Sequence, residues 1–175
     1  MNKLFRHFIT VTRHRNAVIR HCFKAGIPFQ GLMHDLSKYS RDEFINGVKF
    51  YQGTRSPHEA ERETYGFSYA WLHHKGKNKH HFEYWVDYSH VTKQLIAVKM
   101  PLKYVKEMFC DRVAASKIYM KGNYTDSSPL EYFLRAKGKR FINQETSDLI
   151  ESLLVMLKDK GEKETFRYIR QLKEY

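Results

Sequence analysis

The chain has only two cysteines, Cys22 and Cys110, and neither belongs to a Cys-x-x-Cys pair. This excludes a disulfide framework and reads as two reduced thiols in a cytoplasmic protein. Long apolar runs are also missing. No stretch is long enough to span a bilayer. The charged opening residues Met-Asn-Lys-Leu-Phe-Arg-His are not followed by the apolar core of a signal peptide, so no membrane is expected among the partners. There is no internal repeat, no low-complexity segment and no linker rich in Pro, Gly and Ser. Residues 1–175 are therefore read as one domain, with 128–175 as a C-terminal helical extension. Acidic residues are in the minority, 19 against 31 Lys and Arg, for a net charge of +12. That imbalance favours anionic partners such as a phosphate-bearing small molecule or nucleic acid. A merely soluble basic surface is the plainer account.

Apolar side chains are abundant. They make up 42% of 175 residues, with 12 Tyr and 12 Phe, so disorder is excluded and one sizeable core is expected. Helices separated by short loops fit the punctuation. A first helix spans about Asn2 to Lys24, stopped by Gly26 and Pro28. A second covers roughly Gln30 to Lys38. Ser40 with Glu43 has the capping-box pattern and opens a third, to about Tyr51. Ser56-Pro57 opens a fourth that reaches His74, with Gly66 as an interruption. Lys75 to Lys79 reads as a loop, followed by a short helix from His80 to Val86. One small hairpin is expected near residues 88–100. Pro101 then opens a helix to about Tyr119, and Ser128-Pro129 another that ends at Gly138. Two amphipathic helices broken at Gly161 complete an all-α fold.

The chemistry lies in the ten histidines. His34-Asp35 sits in the apolar context Gly31-Leu32-Met33-His34-Asp35-Leu36. Burying a carboxylate is expensive unless it is paired or bound to metal, so the pair is either a structural hydrogen bond or part of a metal site. His14 lies upstream, His73-His74 and His80-His81 follow, and Asp111 stands on an otherwise apolar helix face. Imidazole with carboxylate suits borderline transition metals. His7, His14 and His21 recur every seven residues on one face, about 10 Å apart along the axis. At most one can share an ion with the others, and the remaining two are expected to be solvated or hydrogen-bonded. An ion pair with Arg112 is the alternative for Asp111.

The set His14, His34-Asp35 and Asp111 resembles the HD-domain superfamily of metal-dependent phosphohydrolases. In its two-metal members further histidines stand between the pair and the last Asp, as His73-His74 and His80-His81 do here. His34-Asp35-Leu36-Ser37-Lys38 is also similar to the His-Asp-hydrophobic-Gly-Lys run of the subgroup that cleaves cyclic dinucleotides. The Gly-Tyr-Pro signature of that subgroup is missing, so its substrate does not carry over. A closer resemblance, over about residues 10–120, is to a family of bacterial and phage HD-like proteins, some labelled catalase. It rests on His14-Arg15, Gly26-Ile27-Pro28, Asp42-Glu43-Phe44, Ala70-Trp71-Leu72-His73-His74, Asn78 through Trp85 and Met108-Phe109-Cys110-Asp111. No haem-binding pattern accompanies it.

The resemblance implies an HD-like helical bundle and one or two divalent transition ions (Fe, Mn, Zn, Ni or Co). His14, His34, Asp35 and Asp111 would hold the first. His74 and His80, with His81 close behind, would hold the second, and Asp35 would bridge. Consecutive helical residues diverge by about 100 degrees, so one histidine of each pair is expected to face inward. Asp35 and Lys38 are the candidate catalytic residues for hydrolysis of a phosphate ester, such as a nucleotide, by metal-activated water. Glu43 and Glu83 are candidates to orient ligand histidines. The alternatives are an oxygen-activating two-iron enzyme and a non-catalytic nucleic-acid-binding protein. Leu149, Leu153 and Met156 form a stripe that would suit a homodimer.

Overall fold

In a computed structural model that describes residues 2–175, Asn2 starts helix α1 (Lys3–Lys24) by accepting a hydrogen bond from the Phe5 N–H. This satisfies one of the amides that a helix start leaves open. Met1, the first residue of the expected 1–175 domain, lies outside the described residues. The buried face of α1 is His7, Val11, His14, Ala17, Val18, His21 and Cys22, a recurrence of three and four that makes one continuous stripe. The helix ends where Gly26 takes a left-handed φ of 77°.

Pro28 opens α2 (Pro28–Met33). Gly31 then lets α2 lie against α1. A Cβ on Gly31 would sit 2.7 Å from Cys22 Cβ and 3.2 Å from the Ile19 backbone, closer than packed atoms come. The second helix does not run on to Lys38 as the sequence suggested. It stops at Met33, and Leu36–Tyr39 form a separate 3-10 turn. The break falls on Asp35, which adopts a left-handed conformation (φ 53°, ψ 26°) that no α-helix can contain.

Helix α3 (Arg41–Phe50) begins where expected, but without a capping box. The Ser40 side chain makes no cap hydrogen bond, and the Glu43 carboxylate is used elsewhere. The helix expected from Ser56 to His74 is interrupted at Gly66, as the sequence suggested, and is two. Helix α4 (Pro57–Tyr65) ends at left-handed Gly66, and Ser68 caps α5 (Tyr69–Lys77) by accepting from the Trp71 N–H. Lys75 to Lys77 therefore belong to a helix and not to a loop. After Asn78 only a short 3-10 turn, Phe82–Tyr84, stands in place of a helix to Val86. Strands β1 (Val86–Tyr88) and β2 (Leu95–Ala97) pair antiparallel, with Val86 opposite Ala97.

Helix α6 (Leu102–Met120) runs through the middle and packs on α1, α2, α7 and α8. Helix α7 (Ser128–Leu134) stops short of Gly138, and α8 (Gln144–Gln171) bends at Gly161 (φ 73°). The described residues thus form eight α-helices and one two-stranded hairpin. One core joins Val18 and Cys22 of α1, Val105, Phe109 and Val113 of α6, Phe133 of α7, and Ile150, Leu154, Leu157 and Ile169 of α8. Leu153, expected on a dimer stripe, is fully buried in this same core.

Candidate metal centre

The backbone at residues 34–35 creates the site. Left-handed Asp35 turns the chain so that His34 and Asp35 both point into the protein, and both are about 1% exposed. Asp accepts this conformation better than most residues, because its short polar side chain can interact with the local backbone. The strained turn is held from outside. Arg15, one residue past His14 on α1, hydrogen-bonds the carbonyls of His34 (3.2 Å) and Leu32. Asn78 ties α5 to the 3-10 turn by donating to Ser37 Oγ at 2.8 Å.

Two groups of side chains meet across Asp35. In the first, His14 Nε2 lies 2.9 Å from Asp111 Oδ1, and His34 Nε2 lies 3.3 Å from Asp35 Oδ2 and 3.7 Å from Asp111 Oδ1. In the second, Asp35 Oδ1 lies 3.3 Å from His74 Nε2 and 3.5 Å from His80 Nε2, while His81 Nε2 is 2.9 Å from His74 Nε2. Donors about 2.1 Å from a common ion stand roughly 3 to 3.5 Å apart. In both groups the four donor atoms lie within 4.8 Å of one another.

Buried polar atoms normally have partners. Here His14 Nε2, His34 Nε2, His80 Nε2 and both Asp35 oxygens have no aligned hydrogen bond. Lys38 Nζ comes within 2.7 Å of Asp35 Oδ2, but off the direction of one. Five of the nine such buried side-chain atoms among the described residues thus cluster at the two spaces flanked by Asp35, so the residues present fit one ion in each. A divalent ion would replace lone-pair repulsion with coordination.

Behind the donors stand carboxylates that fix the rings. Glu43 of α3 accepts from His73 Nδ1 with one oxygen and from His74 Nδ1 with the other, both at 2.7 Å. Because a carboxylate only accepts, the His74 proton is on Nδ1 and Nε2 offers its lone pair. Glu107 of α6 accepts from His34 Nδ1 at 2.9 Å, and His80 Nδ1 lies 3.1 Å from the same oxygen. Glu83 plays no such part. Its Oε2 is buried without a partner, and burial pushes its pKa up.

The electrostatics favour positive charge at the centre. Burial raises the pKa of Asp35, but the nearby charges of His34, Lys38 and His74 outweigh that and hold it well below the usual carboxylate range. Asp111 is likewise held low, its burial outweighed by the hydrogen bond and charge of His14. Burial disfavours charge on His34, yet Asp35, Glu107 and Asp111 together carry its pKa up to about 10. The same anionic surroundings that retain a proton there would retain a cation.

Of the residues singled out from sequence, His14, His34, Asp35 and Asp111 are brought together, and so are Asp35, His74, His80 and His81. The expectation that one histidine of each pair faces inward describes 73–74, where His73 turns to Glu43 and Asp42. It fails for 80–81 because His81 is extended (φ −89°, ψ 127°), so helical divergence does not apply. Arg112 does not pair with Asp111 and lies instead over the Phe133 ring. His7 and His21 are buried, not solvated. His21 Nδ1 donates to the Cys110 carbonyl at 3.3 Å. Glu107 was missed, although it stands one helical turn before Asp111 and so shares its face.

Residues 3–156 match DUF5662, a family of unknown function. The chain belongs to that family. No curated protein and no solved structure matches it. The match carries no assignment to the HD superfamily, so for this DUF5662 protein that likeness rests on the residue pattern. No helix among its described residues is long and apolar enough to cross a membrane.

Proposed function

We propose that this DUF5662 protein is a metal-dependent hydrolase of phosphate esters, with His14, His34, Asp35 and Asp111 holding one divalent transition ion and Asp35, His74, His80 and His81 a second. The observation that carries this reading is Asp35. Its two buried oxygens lack aligned hydrogen bonds and face two sets of histidine and carboxylate donors. Imidazole with carboxylate accepts Fe, Mn, Zn, Ni or Co. Such ions supply a hydroxide from bound water at neutral pH and polarise a phosphoryl oxygen.

The chain's own residues supply the rest. The Lys38 ammonium sits 2.7 Å from Asp35 Oδ2 on a side chain that is a quarter exposed, placed to pair with an entering anion. Trp71 packs edge-to-face with His81, with ring centroids 4.7 Å apart, and lines that side of the second set. Lys77 and Lys79 are exposed near the second set and add to the +12 charge that draws anions.

The test is metal content of protein purified without chelators, for wild type, His34→Ala and Asp35→Ala, followed by a panel of phosphate esters run with and without oxygen. About two ions per wild-type chain, both lost in Asp35→Ala and one lost in His34→Ala, with phosphate release that needs no oxygen, support the proposal. Iron with oxygen-dependent turnover would replace it with a two-iron oxygenase. No metal uptake, with steeply salt-dependent binding to nucleic acid that survives both substitutions, would leave a basic binding protein.

A further inference from the structure

The two donor sets are joined in front by Asp35. They are also joined behind, by a residue that touches neither space. His34 belongs to the first set and His80 to the second, and their ring centroids are 4.4 Å apart. The Nδ1 atoms of both approach one oxygen of Glu107, at 2.9 and 3.1 Å. Glu107 is buried on the central helix α6, one turn before Asp111. Glu43 differs in kind. Both its contacts are on α5, and only His74 among them is a donor of either set.

We infer that Glu107 is a positioning residue shared by the two metal positions, fixing His34 and His80 through a single carboxylate oxygen. This rests on the proposed two-ion site. With both Nδ1 atoms turned to Glu107, both Nε2 atoms are left facing the Asp35 side, where they have no aligned partner. Its carboxylate thus orients both rings at once.

The experiment has two arms. In the first, Co(II) alone is titrated into metal-stripped wild type, Glu107→Gln and Glu43→Gln, with the visible bands of bound Co(II) and the bound stoichiometry as readouts. Glu107→Gln should weaken both ions, each by about 10- to 100-fold. Glu43→Gln should weaken one and leave the other at its wild-type affinity. Glu107→Gln that leaves either ion at wild-type affinity overturns the inference.

The second arm needs no variant. Heteronuclear NMR of the ring nitrogens in metal-free wild type should find a proton on Nδ1 of both His34 and His80. A ring protonated at Nε2 alone overturns the inference, and this arm decides if Glu107→Gln fails to fold. Wild type that takes up no Co(II) refutes the two-ion site. The ring protons still report on Glu107 in that case, so the two failures are distinguishable.

Discussion

Asp35 has its two oxygens turned to opposite donor sets, Oδ1 toward His74 and His80 and Oδ2 toward His34. Asp111 touches only the first set. Their losses should therefore differ in kind. Asp35→Ala is expected to abolish both ions and all hydrolysis, and Asp111→Ala to remove one ion of the two. Elemental analysis of the purified variants checks this, and equal stoichiometry in the two would refute a bridging role for Asp35. The ligand candidates were legible because each is costly to bury without a purpose. A His-Asp pair in an apolar run and a carboxylate on an apolar helix face both demand a partner. Glu107 was not legible in the same way. Tyr104 and Met108 give the face of α6 around Asp111 an apolar look, and the carboxylate one turn back only becomes meaningful when His34 and His80 arrive from distant segments. The part of His81 was hidden because its segment is extended, where helical divergence does not hold.

At the scale of elements, the position of His34-Asp35 depends on how closely α2 approaches α1, and Gly31 sets that approach. Adding a methyl there would meet Cys22 Cβ at 2.7 Å and backbone of Ile19 at 3.2 Å. Backbone cannot give way as a flexible side chain does, so α2 must shift. Gly31→Ala is expected to destabilise by about 1–3 kcal/mol, the usual range for overpacking, despite the better helix propensity of Ala. It should also weaken metal binding, since the shift is transmitted two residues on to Met33 and the turn. Urea unfolding and a Co(II) titration measure the two effects. Unchanged metal affinity in a destabilised variant would show that the Asp35 turn is held by Arg15 and Asn78 alone. The long helices α1 and α6 were legible from periodicity, caps and proline. The break at Asp35 was not, because local propensity favours continuing the helix. The left-handed turn is fixed by distant groups, Arg15 and Asn78. That α4 and α5 read as one helix in the sequence has a simpler cause. Gly66 ends one helix and Ser68 caps the next with only one residue between them.

At the scale of the whole molecule, the seven-residue ladder on α1 has two members outside the metal centre, and both are buried without charge. His7 packs against Gly47, Phe44 and Tyr51. Burial, helped by the charge of Lys38, lowers its pKa to about 4. His21 stacks on Phe166, and its burial outweighs the Cys110 hydrogen bond to give about 4 as well. An unfolded histidine takes up a proton near 6.5. The stabilisation from each is thus complete above pH 6.5 and is lost as the pH falls to about 4, because the unfolded chain binds the proton first. His21 contributes about 3 kcal/mol to that loss, at roughly 1.4 kcal/mol per unit. The net charge of +12 adds self-repulsion in the same direction, so the slope of wild type alone does not isolate the histidines. His21→Leu does. It keeps the overall charge and the carboxylates but removes one titrating group. In urea unfolding of metal-free protein, stability should fall less steeply between pH 6.5 and about 4 than in wild type. Parallel slopes would mean that His21 is already protonated in the folded state, against its burial on Phe166.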